Sequence, residues 1–229
     1  MDWIVEALNV KKIYKIGALE VPALNGVNLK VEGGEFMSVM GPSGSGKTTL
    51  LHLIGALDRP TEGRVFISGI EISRLNDDEL AELRNRRIGF VFQFFNLVPR
   101  MDALKNVELP MAFAGVPREQ RRKKSTEILE RVGLGERISH RPAELSGGQQ
   151  QRVAIARALV NNPSIVLCDE VTGNLDTKTG EEILNLLRKL NREQKQTFIL
   201  VTHDPLVANF VDRIAYMRDG MIVKDEVVR

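Results

Sequence analysis

Short apolar runs alternate along the chain with stretches in which apolar residues recur every three or four positions. Strands buried on both faces of a parallel sheet appear as nearly continuous apolar segments. Four runs have this character: Met37–Met40, Phe90–Phe92, Ile165–Cys168 and Phe198–Val201. Between the last two, a helix is predicted by the i, i+3, i+4, i+7 spacing of Ile183, Leu186, Leu187 and Leu190. This alternation predicts an α/β fold with a largely parallel sheet flanked by helices.

Two parts of the chain depart from this alternation. Near the N-terminus, Val27, Leu29 and Val31 alternate with polar residues, and a pair of glycines at positions 33 and 34 marks a turn. This pattern predicts half-buried antiparallel strands. From about residue 97 to residue 145 the chain has no strand-like run and is punctuated by four prolines, which indicates helices.

Composition narrows the class of protein. The 229 residues are 43% hydrophobic and 27% charged, as in an ordinary folded domain, and the net charge of +2 does not by itself indicate nucleic acid. No apolar run approaches the roughly 20 residues that cross a bilayer, and acids near the N-terminus are unlike a signal peptide. The single cysteine, Cys168, excludes an internal disulfide, fits a reducing cytoplasm and is interpreted as a buried core residue. We expect a soluble protein that reaches a membrane only through a partner.

A glycine-rich segment follows the first apolar run and precedes a helical pattern that starts at Thr49. It consists of Gly41, Pro42, Ser43, Gly44, Ser45, Gly46, Lys47 and Thr48. This is the P-loop spacing in its strand–loop–helix context, where backbone N–H groups cradle phosphates at a helix start. Lys47 is expected to neutralise the β- and γ-phosphates, and the Thr48 hydroxyl to ligate Mg²⁺. The alternative is a glycine-rich turn with a surface lysine. It would require that the P-loop spacing and the strand–loop–helix context both arose by coincidence.

Two acids, Asp169 and Glu170, end the third apolar run. This is the Walker-B arrangement, in which the Asp holds Mg²⁺. A P-loop fold is expected to put this strand beside the P-loop strand, so that Asp169 faces Thr48. By strand alternation Glu170 is expected to point elsewhere, where it would polarise the attacking water. A pair of solvated acids at a strand end is the alternative interpretation.

A second anion-binding geometry is predicted at Ser146, Gly147, Gly148 and Gln149, which open another helical pattern. Ser146 is expected to cap that helix, and the glycines expose N–H groups at its positive end. The P-loop already surrounds the phosphates of one nucleotide. We therefore expect two chains in C2 symmetry, each offering its second site to the ATP of the other.

With the segment LSGGQ at residues 145–149, the sequence resembles the ABC ATPase family over essentially its whole length. The resemblance implies further roles in the family's order: Tyr14 stacking on adenine, Gln93 as the Q-loop residue at Mg²⁺, and His203 as the histidine that contacts the γ-phosphate. Residues 173–176 resemble the D-loop. Within the family, the motifs are most similar to the branch that serves lipoprotein release, macrolide export and antimicrobial-peptide export. Val171 replaces that branch's usual proline, which removes a rigid φ but no chemical group.

The resemblance implies a P-loop NTPase of the ABC ATPase type, with a RecA-like mixed-sheet core, an N-terminal antiparallel β subdomain and an inserted α-helical subdomain. The whole of residues 1–229 is expected to form one ABC ATPase domain. Residues 1–93 and 156–229 are expected to form the core, and residues 94–155 the helical subdomain that carries the signature.

The resemblance also implies a function, in which ATP and Mg²⁺ are the cofactors and ATP is hydrolysed to ADP and phosphate. Glu170 is expected to act as the base, with His203 and Lys47 completing the catalytic set. A head-to-tail homodimer is expected to close over two ATP molecules and to drive an export-type membrane permease from the cytoplasmic face of the membrane. Alternatives are a cell-division regulator that transports no cargo, a soluble DNA-repair or ribosome-acting ABC protein, and a nucleotide switch that barely hydrolyses ATP.

Some residues have plainer interpretations. The basic run Arg118–Lys124 lacks interleaved aromatics and is interpreted as a solvated helix face, so no nucleic-acid partner is expected. His52 is interpreted as structural and His140 as solvated. For Phe94, Phe95 and Leu97, a core between the two lobes and a docking groove for a membrane partner both remain open.

Overall fold

The structure is a computed structural model that describes residues 3–228. Ten strands and six α-helices follow one another along these residues. The strands are β1 (Trp3–Ile16), β2 (Leu19–Glu32), β3 (Phe36–Met40), β4 (Glu62–Ile67), β5 (Ile70–Glu71), β6 (Ile88–Phe92), β7 (Ile165–Asp169), β8 (Thr197–Thr202), β9 (Arg213–Arg218) and β10 (Met221–Val227). The helices are α1 (Lys47–Ile54), α2 (Asp77–Arg87), α3 (Ala103–Phe113), α4 (Arg118–Arg131), α5 (Gly147–Leu159) and α6 (Thr177–Gln194).

The larger sheet has six strands in the order β10-β9-β3-β8-β7-β6. Its strands run parallel except for β10 at one edge. All residues of β3 and β8 are buried, as expected for strands covered on both faces. The four apolar runs fall within β3, β6, β7 and β8, and the predicted helix lies within α6, so these predictions are confirmed.

The order of the strands corrects one expectation. Strand β8 lies between the P-loop strand β3 and the acid-bearing strand β7, so these two strands are not neighbours. The register aligns Met40 with Thr202 and aligns Asp169 with both Val201 and Phe92. Because parallel strands end at a common edge, the segments that follow β3, β6, β7 and β8 meet there, as ligand-binding segments do in open α/β sheets.

The smaller sheet is antiparallel, in the order β2-β1-β4-β5. Val27, Leu29 and Val31 point into its core and are almost fully buried, which confirms the predicted alternation. Helix α1 packs between the two sheets, since its Leu50 and Leu53 share one core cluster with residues of β1, β2 and β3. The helix that opens at the P-loop is thereby held on both sides.

Helices α3 and α4 lie in the region predicted to be helical, residues 97–145, and α5 follows them and packs against both. Together with α6 they build a second core cluster on the other face of the larger sheet. Helix α5 begins at Gly147, earlier than its apolar pattern indicates, because the glycines of the signature form its first turn. The same helix continues to Leu159 without interruption, across the position expected to separate the helical subdomain from the core.

The observed architecture confirms the predicted α/β fold with an antiparallel β subdomain. Among residues 3–228, no helix has the length and apolar character needed to span a bilayer.

Candidate nucleotide site

The P-loop connects the end of β3 to α1 through two positions that only glycine fits. Gly46, which caps α1, has φ 98°, and a Cβ there would lie 2.6 Å from the carbonyl oxygen of Ala23. A Cβ on Gly41 would lie 2.2 Å from the carbonyl oxygen of Met217. Both positions are closed to a side chain by neighbouring backbone. The glycine spacing is therefore a packing requirement of this loop.

We expect Gly46→Ala to destabilise the chain more than Gly44→Ala. Gly44 also has a positive φ, of 78°, but a Cβ there would meet no atom within 4 Å. Backbone strain costs about 1–3 kcal/mol at either position, and the clash with Ala23 adds to it only at Gly46. Urea unfolding of the two variants measures the difference, and equal midpoints would contradict the packing argument.

Lys47 opens α1 and folds back over the loop that precedes it. Its Nζ donates to the carbonyl oxygens of Gly41 at 2.7 Å and Pro42 at 2.8 Å, and the residue is 6% exposed. Burial lowers the pKa of Lys47, while the charges of Glu170 and Asp169 raise it. A desolvated ammonium at the mouth of a loop of N–H groups is suited to an anionic ligand.

Asp169 is the last residue of β7 and is half-buried. Its Oδ1 is buried and has no hydrogen-bond partner in the described part of the chain. Burial raises the pKa of Asp169, a shift that His52 and Lys47 oppose and Glu170 reinforces. A buried carboxylate oxygen without a donor fits a metal ligand, because a divalent cation would satisfy it.

Glu170 lies beyond the end of β7, in the left-handed region at φ 48°. The expectation that strand alternation orients it is therefore wrong, because a turn fixed by the bond from its N–H to the Val201 carbonyl (2.9 Å) sets its direction. Its Oε1 lies 2.8 Å from Nδ1 of His203. Since a carboxylate only accepts hydrogen bonds, Nδ1 carries the proton and Nε2 is left for a second partner.

Lys47, Glu170 and His203 meet in a cavity of about 520 Å³ at the carboxyl edge of the larger sheet. Nine of the predicted residues line this cavity. They come from the P-loop, from the start of α1 and from the Glu170–His203 pair, and they are Pro42, Ser43, Gly44, Gly46, Lys47, Thr48, Thr49, Glu170 and His203. Val21, Pro22 and Ala23 of β2 also line it. Sequence reasoning missed these three because they lie in an ordinary strand pattern, with no spacing that marks them.

Nine predicted residues do not line this cavity: Gly41, Ser45, Tyr14 and Asp169, together with Gln93 and residues 146–149, which are described below. Gly41 and Ser45 form the closed base of the P-loop, where Ser45 is 3% exposed. Tyr14 lies on β1 opposite Val21, where its hydroxyl donates to Asp58 at 3.1 Å. The Lys12 ammonium stands 5.0 Å from the centroid of the Tyr14 ring. The stacking role of Tyr14 therefore stays a prediction, and so does the metal role of Asp169.

Gln93 follows β6 and forms hydrogen bonds with Asn174 of the segment that resembles the D-loop. Its Nε2 donates to Oδ1 of Asn174 at 3.4 Å, and Nδ2 of Asn174 donates to the Gln93 carbonyl at 3.0 Å. Gln93 also lines a smaller cavity of about 370 Å³ with Glu170 and His203. The structure thus brings Gln93 to a cavity that Glu170 and His203 also line and that includes no P-loop residue in its lining.

The signature segment starts α5 with a capping box. The Ser146 hydroxyl accepts from the Gln149 N–H at 3.3 Å, and the Gln149 side chain accepts from the Ser146 N–H at 3.0 Å. Gly147 and Gly148 complete this first turn. Neither cavity that contains Glu170 is lined by residues 146–149. Within one chain, the two predicted anion sites are therefore separate.

Sequence reasoning also missed Gln151 in α5. This side chain is fully buried, and its Nε2 donates to the carbonyl oxygens of Val171 at 2.7 Å and Phe92 at 3.5 Å. Gln151 thereby ties the signature helix to the end of β6 and to the turn after Glu170. The run of three glutamines contains no signal that distinguishes this one.

Comparisons with known proteins agree with this geometry. A sequence profile of the ABC transporter family matches residues 24–173. An uncharacterized ABC transporter ATP-binding protein of Thermotoga maritima is 57% identical over 222 residues, which cover 97% of this chain and 94% of that protein. The macrolide export ATP-binding/permease protein MacB of Syntrophobacter fumaroxidans is 52% identical over 96% of this chain, which spans 31% of that longer protein.

A solved structure shares the fold over nearly the full length of both chains. It is the dimeric, post-hydrolysis state of the ATP-binding cassette MJ0796 of Methanocaldococcus jannaschii, bound to ADP and Pi. The TM-score is 0.89 and the sequence identity 52%, with 98% of this chain and 99% of that chain covered. From its motifs, its fold and these relatives, the chain belongs to the ABC transporter ATP-binding family and is an ABC-type ATPase.

Proposed function

We propose that this ATPase is the motor subunit of an export-type ABC transporter and that ATP-driven closing of a homodimer powers a membrane permease. The observation that carries the proposal is the convergence of Lys47, Glu170 and His203 on one cavity, with Glu170 and His203 in contact at 2.8 Å. A phosphate cradle, a carboxylate and an imidazole in one cavity are the groups needed for attack of water on a phosphoryl group.

In this mechanism Lys47 and the P-loop N–H groups hold the phosphates of ATP. Lys47 exchanges its hydrogen bonds to the carbonyls of Gly41 and Pro42 for hydrogen bonds to phosphate oxygens. These charge-assisted bonds compensate the buried ammonium for the water that it has lost. Glu170 accepts a proton from the attacking water as the oxygen bonds to the γ-phosphorus, and the bond to the leaving ADP oxygen breaks. His203 donates from Nδ1 to the Glu170 carboxylate, and with its ring protonated on both nitrogens it also donates from Nε2 to a γ-phosphate oxygen.

We propose that Mg²⁺ is held by Thr48, Asp169 and Gln93. The support is the unpartnered, buried Oδ1 of Asp169 and the position of Gln93 beside Glu170 in the smaller cavity. When bound, the cation neutralises charge on the β- and γ-phosphate oxygens.

Asp169→Asn is expected to stabilise the nucleotide-free and metal-free chain at pH 7 and to abolish Mg²⁺-dependent hydrolysis. Because burial raises the pKa of Asp169 in the folded state, its ionised form opposes folding above the pKa of the unfolded chain. The increase in the free energy of unfolding that Asn gives should therefore shrink as the pH falls to about 4 and below, where the carboxyl of the unfolded chain also becomes protonated. Thermal unfolding at both pH values measures this, and a lower melting temperature at pH 7 would contradict the account.

We propose a head-to-tail homodimer, in which the signature segment of each chain meets the ATP held by the other. The support is twofold: residues 146–149 line neither of the two cavities that contain Glu170, and the MJ0796 cassette is dimeric in its solved structures. Closure of two chains over ATP excludes water and completes the catalytic set, so binding energy drives the conformational step.

The names of the relatives support the proposal of an export-type permease. The MacB relatives carry the words macrolide export and permease in their names and match this chain over almost its full length. We propose that a separate permease subunit holds this chain at the cytoplasmic face of the membrane. A cell-division or signalling complex that transports no cargo is the alternative, because its ATPase would carry the same cassette.

Recovery of the membrane partner tests this part of the proposal. A tagged chain is expressed in its source cell, the membranes are solubilised in mild detergent, and the captured membrane protein is identified by its sequence and assayed for cargo-stimulated ATP hydrolysis. We expect a permease whose cargo raises the hydrolysis rate. A partner of the cell-wall-remodelling machinery with no cargo response would favour the alternative.

A further inference from the structure

The backbone turn that follows β7 sets the direction of the Glu170 side chain. Glu170 donates its N–H to the Val201 carbonyl at 2.9 Å, and its own carbonyl accepts the Gly173 N–H at 2.9 Å. The second bond closes a β-turn that has Val171 at its second position. Glu170 itself has φ 48°, a conformation that a non-glycine residue keeps only where the surrounding structure enforces it. The position of the carboxylate therefore depends on how firmly this turn is held.

Val171 leaves the turn without the internal rigidity that a proline would give. The second position of the common β-turns favours proline, whose ring fixes φ at about −65°. Val171 is buried, and within residues 3–228 its N–H donates no hydrogen bond, so a proline here would remove none. The rigidity of the turn has to come from a contact outside it.

The buried side chain of Gln151 on α5 supplies that contact. Its Nε2 donates to the Val171 carbonyl at 2.7 Å and reaches the Phe92 carbonyl at 3.5 Å. The Phe92 carbonyl also accepts the Phe95 N–H at 3.2 Å, whereas the Val171 carbonyl has no other donor among residues 3–228. The bond to Val171 is thus the shorter of the two and the one without a substitute.

The stability of the fold does not account for an amide at position 151. Oε1 of Gln151 is buried and has no hydrogen-bond partner in the described part of the chain. A buried polar atom without a partner is costly, and an apolar side chain of the same length would avoid that cost. In such a variant the unpaired Val171 carbonyl and the removed Oε1 have opposite effects on the free energy of unfolding, so the two largely cancel.

We infer that Gln151 is a positioning residue for Glu170. Its hydrogen bond to the Val171 carbonyl fixes the turn, and the turn fixes the direction in which the carboxylate meets the attacking water. The inference rests on the proposed function for the role of Glu170 as the base, and it adds the contact by which that base is held. Gln151 itself lines neither cavity that contains Glu170.

Gln151→Met tests the inference, because it removes the donor and keeps the length of the side chain. We expect kcat at saturating ATP and Mg²⁺ to fall by at least about tenfold, since a small displacement of a catalytic group costs up to about 10²-fold in rate. KM and the dissociation constant of ATP should not change, because the P-loop cavity is lined without Gln151. Thermal unfolding shows that the variant is folded at the assay temperature.

Asn191→Leu is the matched control for the loss of a buried amide. Asn191 on α6 is buried, and its Nδ2 donates to the carbonyls of Gly34 and Gln196 at 2.8 Å each. These carbonyls precede β3 and β8, at the edge of the sheet opposite the cavity. We expect wild-type kcat from this variant even where its melting temperature falls. A wild-type kcat in Gln151→Met, or an equal loss of kcat in both variants, would overturn the inference.

Val171→Pro tests whether the effect of Gln151 passes through the turn. Proline fixes the backbone of the turn from within, so the bond from Gln151 should matter less. We expect Gln151→Met to lower kcat by at most about threefold in the Val171→Pro background, as a double-mutant cycle measures. Comparison within each background cancels the effect of the proline itself, including its restriction of Glu170. An equal loss in the two backgrounds would overturn the inference.

Glu170→Gln in the same assay separates this inference from the proposed function. Near wild-type hydrolysis by Glu170→Gln would remove the base and the positioning role together. Slow hydrolysis by Glu170→Gln combined with wild-type kcat in Gln151→Met would overturn the positioning role alone. We expect both variants to be slow, with ATP affinity retained in each.

Discussion

Glu170→Gln is expected to lower the rate of ATP hydrolysis by about 10²–10⁴-fold, the usual contribution of a general base. The amide keeps the size of the side chain and can still accept a hydrogen bond from Nδ1 of His203, so the fold and ATP binding should persist. The proton of the attacking water, however, loses its acceptor. Steady-state phosphate release at saturating ATP and Mg²⁺ measures the effect.

The control for this variant is Glu193→Gln on α6. Glu193 is exposed and lies 4.0 Å from Lys189 in a pair of surface residues, so its substitution should leave the rate unchanged. Near wild-type hydrolysis by Glu170→Gln would remove Glu170 from its role as the base. It would leave the phosphate cradle untouched, because that site is built from the P-loop.

Lys47→Ala is expected to weaken ATP binding by about 10–100-fold, since hydrogen bonds to charged groups contribute about 1.5–3 kcal/mol. The ammonium is the charged donor of the P-loop, and its burial means that an anion gains more from it than from a solvated lysine. Equilibrium titration with a fluorescent ATP analogue measures the dissociation constant. Lys189→Ala, on the exposed face of α6, is the matched control.

Loss of Lys47 also removes the ammonium donor of the Gly41 and Pro42 carbonyls, of which Pro42 keeps the Ser45 N–H at 3.3 Å. Thermal unfolding without nucleotide separates this structural effect from the loss of phosphate binding. A Lys47→Ala variant with the melting temperature of the wild type and an unchanged dissociation constant for ATP would contradict the claim that Lys47 binds the phosphates.

Much of the fold could be predicted because the sequence patterns that indicate it are formed by residues close together in the chain. Strands β3 and β8 are continuous apolar runs, and the P-loop is recognised by a glycine spacing that the packing around Gly41 and Gly46 requires. The order of strands in the sheet is not a local property. Nothing within an apolar run specifies its neighbour, so the placement of β8 between β3 and β7 was missed.

In the candidate site, too, residues marked by a local sequence pattern could be predicted, and residues placed by contacts between distant parts of the chain could not. Lys47 and Glu170 were predicted because each sits at a fixed distance from a strand end or a glycine. The left-handed turn at Glu170, the wall formed by Val21–Ala23 and the bridge made by Gln151 depend on contacts between residues far apart in the chain.

The molar mass of Glu170→Gln in solution, with and without ATP and Mg²⁺, tests the central claim most directly. The account predicts a monomer without nucleotide and a dimer with ATP, because the variant binds ATP, assembles the two-chain site and does not hydrolyse the nucleotide that holds it together. A chain that binds ATP and remains a monomer at every concentration would contradict the claim that the signature segment of one chain completes the site of the other.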